Sequence, residues 1–170
     1  MFELLGCEEP LGVFYAEKAP TDSLTPPPDR GHACIINYLR MAFDRKTCVH
    51  VAADACTCMG GWVYLGYRLP APERIVHFVT TGWEGGEGER YLPSPDSMRR
   101  FFKDIDVQPA PAPFCAARPL SQFAEGEEPL LVTFRCRGEV LTGLSMLAGF
   151  ALDDHNAVVM PFGSGCANIF

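Results

Sequence analysis

Residues 48–62 read Cys-Val-His-Val-Ala-Ala-Asp-Ala-Cys-Thr-Cys-Met-Gly-Gly-Trp, and they leave the backbone few choices. The β-branched, alternating start suits a half-buried strand. Gly60 and Gly61 then punctuate the run and force a tight corner, beside the thiols of Cys56 and Cys58. A strand that ends at such a corner and re-enters as a helix is the building unit of an α/β chain. Residues 157–166, Ala-Val-Val-Met-Pro-Phe-Gly-Ser-Gly-Cys, repeat the plan, with Gly163, Gly165 and Cys166 at the corner.

The rest of the chain alternates in the same manner. Residues 10–16 form an apolar first strand, and 19–30, with three consecutive prolines, form an extended connector. Ile35, Ile36, Leu39, Ala42 and Phe43 recur at helical spacing, with Cys34 in the first turn of that helix. Residues 47–53 are the second strand, 61–67 a short helix ended by Pro70 and Pro72, and 74–80 a third strand. The Gly- and Glu-rich stretch 82–90 is a loop. Ser94 and Asp96 offer caps to a helix carrying Met98, Phe101, Phe102 and Ile105. Residues 108–114 are a proline-stiffened connector, and 130–136 a further strand. Residues 140–152 are nearly all apolar, the composition of a helix buried on most sides. A last strand at 156–162 closes the series.

The expected fold is therefore a single compact α/β domain over residues 1–170, a mixed sheet flanked by helices. Its length suits one domain. The order helix, strand, Gly/Cys turn occurs at 33–61 and again at 139–166, which points to an internal α–β duplication. If the two strands are parallel neighbours, both turns fall on one edge of the sheet, where ligands gather in open α/β folds. Cys34 would then join Cys56, Cys58 and Cys166 around one pocket.

Charge and composition narrow the partners. The net charge of −7 repels phosphate backbones, so nucleic acid is not an expected partner. No apolar run reaches the ~18 residues of a membrane span. The first residues lack the basic region of a signal peptide, so a cytoplasmic location is expected. In that reducing compartment the eight cysteines are expected as free thiols or metal ligands rather than disulfides. The expected partners are a small molecule or a metal, with a homo-oligomer left open.

The start P-L-G-V-F-Y at 10–15, Cys34 before its helix, the C-T-C-M-G-G turn at 56–61 and M-P-F-G-S-G-C-A-N-I at 160–169 together resemble the domain of unknown function 169 family, the ArCR-type proteins. The resemblance runs over most of the chain. It implies no activity, and it implies relatives that continue beyond the Gly-Ser-Gly-Cys turn.

Four thiols, Cys34, Cys56, Cys58 and Cys166, sit beside turns or helix starts. Thiolates bind zinc, iron–sulfur clusters and other soft metals, and helix N-termini lower thiol pKa values. The spacing C-x-C is not the C-x-x-C knuckle of zinc sites, so a metal or cluster, a redox pair and simple apolar packing all stay open. Gly60, Gly61, Gly163 and Gly165 would let backbone amides approach an anion or cofactor, or would merely make tight corners. His50 and His77 read as strand residues, His32 and His155 as isolated. Arg135 and Arg137 flank Cys136 at a strand end, where they would bind an anion or simply balance the acidic surface. Three functions fit these residues: a binding or redox module with a Cys/Gly-lined pocket, a small-molecule enzyme using a cysteine thiol, or a partner-binding protein without a site.

Overall fold

The computed structural model describes residues 6–25, 34–105 and 107–152. Strand β1 (Leu11–Ala16) is followed by helix α1 (Ile35–Arg45) and strand β2 (Val49–Ala52). Three short helices come next, α2 (Met59–Tyr64), α3 (Glu73–Phe78) and α4 (Pro95–Asp104), with a small hairpin, β3 (Gly82–Trp83) and β4 (Gly86–Glu87), between the last two. Strands β5 (Phe114–Pro119) and β6 (Leu131–Thr133) lead to helix α5 (Gly138–Leu152). The α/β class expected from sequence is the class observed.

The main sheet has the order β2-β5-β1-β6, and every ladder pairing in it is antiparallel. Register explains the core. Leu11 and Val13 of β1, Val49 and Val51 of β2, and Cys115 and Ala117 of β5 alternate along their strands and share one face, with Val13 and Val49 both opposite Ala117. Helix α1 lays Ile35, Tyr38, Leu39, Ala42 and Phe43 on that face. The small side chains of β5 let the helix come close between the larger residues of its neighbours. On the opposite face Phe14 meets Phe123 edge to face, and Arg118 lies over both rings.

A second cluster joins α2, α3 and α4 through Val63, Ile75, Val76, Val79 and Met98. Trp62 packs against both clusters. Of the two cap candidates, Ser94 is the N-cap of helix α4, its Oγ accepting the Ser97 amide at 3.2 Å, while Asp96 lies in the first turn behind Pro95. Arg99 forks onto Glu73 at 3.1 and 2.7 Å, linking α4 to α3.

Several expectations are corrected. Residues 74–80 are not a strand; they fall largely in α3, capped by Pro72 with Glu73 in the first turn. Ile75, Val76 and Val79 lie on one helical face, and Thr80 Oγ donates back to the Val76 carbonyl at 2.6 Å at the helix end. His77 is therefore a helix residue. The stretch 82–90 holds the β3–β4 hairpin rather than an irregular loop. β5 begins inside the proline-rich connector and is an inner strand. Helix α5 forms where expected, but no residue of it is buried: Phe150 is 87% exposed and Met146 73%. Hydrophobicity specifies a helix that wants cover, and the described residues do not supply it. The expected last strand, the second Gly/Cys turn and with them the internal duplication lie outside the described residues.

Candidate functional site

The 53–61 turn brings α1, α2 and β2 together. Cys34 and Cys58 stand at the N-caps of α1 and α2. Cys58 Sγ accepts the Gly61 amide at 3.4 Å, and the Ile35 and Gly60 amides also point at it. Cys56 Sγ donates to the Cys58 carbonyl at 3.6 Å, while the Cys56 carbonyl accepts the Trp62 indole N–H at 2.5 Å. The turn is thus held by its own sulfurs and by one indole.

Gly61 has a packing reason to be glycine. A Cβ there would fall 2.7 Å from an Ile35 methyl and 2.9 Å from Cys56 Sγ. Gly60, by contrast, lies on the wall of a cavity of about 580 Å³. This cavity opens where the two apolar clusters meet. Cys34 and Ile36 line it from α1, Thr57 to Gly60, Trp62 and Tyr64 from the turn and α2, Arg74, Ile75, Phe78 and Val79 from α3 and its end, and Glu89 and Tyr91 from the following segment. That segment is fixed by backbone bonds from Glu89 to Phe78, at 2.7 Å, and from Tyr91 to Val79, at 3.0 Å. The wall is aromatic and aliphatic; Arg74 and Glu89 are exposed charges at its edge.

The expected lowering of thiol pKa at these helix starts is overturned for two of the residues. Burial pushes Cys56 up to about 11, although the Cys58 backbone amide opposes the rise. Burial also raises Cys58, against the favourable Ile35, Gly61 and Gly60 amides. Desolvation of a charged sulfur outweighs a few amide dipoles when the group is 3–5% exposed. The same holds for Cys115 in β5, pushed up to about 12.

An alkylation experiment reads this directly. At pH 7 a thiol with a pKa of about 11 is thiolate in only about one part in ten thousand. Iodoacetamide should therefore label the partly exposed Cys34 while Cys56, Cys58 and Cys115 stay intact, with Cys56 labelling rising only as pH approaches 11. Peptide mapping that finds Cys56 modified at pH 7 as fast as Cys34 would contradict the buried, neutral thiol.

Of the residues singled out from sequence, Cys34, Cys58 and Gly60 line the cavity, and Cys56 and Gly61 pack directly behind it. Gly163, Gly165 and Cys166 lie outside the described residues. Among the described residues no group of three or more His, Cys, Asp or Glu side chains is placed to hold a metal ion. The flanking arginines do not act together: Arg135 bonds Glu8 and Asp44, and Arg137 pairs with Glu139. Sequence reasoning missed the aromatic wall, Trp62, Phe78 and Tyr91 with Arg74. Its one legible signal was the aromatic density of 62–67, since Phe78 and Tyr91 join it only through the α3 fold-back.

No helix among the described residues is long and apolar enough to cross a membrane. A family model described as DUF169, uncharacterised ArCR, matches residues 3–170. No curated protein and no solved structure matches the chain.

Proposed function

The chain belongs to the uncharacterised DUF169 family, and from that premise we propose that it is a binding module whose Cys34–Cys58–Trp62 cavity takes a small organic molecule with a flat apolar body and an anionic group. The observation that carries this is the cavity itself. Its volume of about 580 Å³ lies in the range of small-molecule and cofactor sites, about 300–1,000 Å³. Its lining is carbon-rich and aromatic, with few polar groups to set orientation. Trp62, Phe78 and Tyr91 supply faces or edges for a ring, and Arg74 supplies a cation for an anionic substituent.

This lining supports an organic ligand over a thiolate-bound metal, because among the described residues it offers one partly exposed thiol, Cys34, and one buried thiol, Cys58, against a largely apolar wall. It supports binding over cysteine nucleophilic chemistry at Cys56 or Cys58 because burial keeps those thiols protonated.

An anilinonaphthalene sulfonate dye has the required shape and charge. It should bind saturably, and Arg74→Gln should weaken it about 3- to 10-fold, a range set by a charge-assisted contact discounted for exposure. Tyr91→Ala should weaken it further. A dye affinity that ignores both changes but falls with Phe150→Ser would place the dye on α5 and overturn the reading.

A further inference from the structure

We propose that Cys7 and Cys136 form a reversible disulfide that staples the segment before β1 to the segment between β6 and α5. Backbone register carries this. The β1–β6 ladder pairs Leu11 with Thr133, Gly12 with Val132 and Val13 with Leu131. Continued unchanged, it would set Glu8 against Cys136. Instead the Glu8 amide donates to the Arg135 carbonyl at 3.3 Å. Between these two contacts the N-terminal side spends one residue more than its partner, at Glu9 and Pro10. Proline has no amide to donate and fits such a bulge.

The shift has one consequence for side chains. With Glu8 hydrogen-bonded across to Arg135, the next pair outward is Cys7 opposite Cys136, at a non-hydrogen-bonded position. Such pairs hold their Cα atoms about 4.5 Å apart, inside the ~4.4–6.8 Å window of disulfides. The two side chains are neighbours: burial holds the Cys7 thiol above its ordinary pKa, and the nearby Cys136 sulfur adds to the rise. The junction is already fastened beside them. The Arg135 guanidinium bonds Glu8 at 2.7 Å and Asp44 at 2.9 Å, and lies 4.5 Å over the Phe43 ring. Two cysteines placed opposite each other by this register need little rearrangement to bond.

Exposure assigns the order of events. Cys136 is partly exposed and Cys7 is buried. The Cys136 thiolate attacks one sulfur of a low-molecular-weight disulfide, its S–S bond breaks, and one thiolate leaves and takes up the proton that Cys136 gave up. Cys7 then loses its proton, attacks the Cys136 sulfur of the mixed disulfide and expels the second thiol. Two protein thiols are oxidised, and one small disulfide is reduced to two thiols.

The test uses the full chain incubated with oxidised glutathione and then mapped by mass spectrometry without reduction. The expected product is one linked peptide pair, Cys7 with Cys136, that dithiothreitol returns to free thiols. Cys7→Ser should instead trap glutathione on Cys136, and Cys136→Ser should leave Cys7 unlinked. The oxidised wild-type chain should melt about 5–15 °C higher than the reduced one, the shift expected for a long-loop disulfide in a chain of this size, and neither variant should show the rise. Glutathione retained on Cys136 of the wild-type chain, a link to any other cysteine, or both thiols left free would each overturn the assignment. The dye affinity of the aromatic cavity is a separate readout, so the two ideas stand or fall apart.

Discussion

Trp62→Ala is expected to cost about 3–5 kcal/mol of folding stability, the range for removing a large aromatic from a packed site. The ring joins the two apolar clusters, so its loss loosens the α2–α4 layer from the sheet-and-α1 layer. Its indole N–H is the partner of the Cys56 carbonyl, which would be left unpaired beside a buried sulfur. The Arg68 guanidinium, 3.8 Å above the ring, would lose its aromatic face. Trp62→Phe keeps much of the packing and should cost only about 1–2 kcal/mol, mainly the hydrogen bond. Urea unfolding curves give both values. A Trp62→Ala midpoint close to wild type would mean that the two clusters do not depend on each other.

The second large effect is expected at Gly66. Its φ is +69°, in the left-handed region. A Cβ there would run into the Gln108 carbonyl oxygen and the Ala110 amide nitrogen, both backbone atoms that no rotamer can move aside. The Gly66 carbonyl also accepts the Ala110 amide at 3.0 Å, which holds the connector that delivers β5 to the sheet. Gly66→Ala should therefore cost about 3 kcal/mol or more, of which the dihedral alone supplies about 1–2. Gly126 provides the comparison. Its φ is +85°, but nothing lies within 4 Å of its added Cβ, so Gly126→Ala should show the dihedral cost alone. Equal midpoints for the two variants would show that the connector yields.

What could be read in the sequence follows the range of the forces involved. Helix α4 was legible because Ser94, Asp96 and the Met98–Phe101–Phe102 spacing are local signals acting within one or two turns. α1 and the first two strands were legible for the same reason. Residues 74–80 misled because Ile75, Val76 and Val79 are β-branched. Their helical order is imposed by Pro72, Glu73 and the packing of α3 on α4, and tertiary contacts override so weak a propensity. β5 was invisible because Ala116 and Ala117 carry no strand preference; its place comes from neighbours on both sides and from α1 overhead. At the candidate site, the Cys56–Gly61 turn announced itself, but not the sign of its electrostatics. Helix starts favour thiolates, yet the depth of burial that reverses this is a property of the assembled core. The aromatic wall depends on α3 turning Phe78 toward Trp62, so misreading α3 hid it.

Strand order also dictates when the protein can fold during synthesis. β1 emerges first, but its sheet neighbours are β5 and β6, and β2 likewise pairs with β5. Neither early strand meets these partners until the chain has been made past Phe114, and until then Leu11, Val13, Val49 and Val51 have only α1 to cover them. Unpaired apolar strands are templates for association with other chains. Closing so long a loop also makes the first strand pairing slow. A nascent chain stopped short of β5 holds half the sheet's strands and none of its ladder, so both early strands keep open edges for as long as that takes.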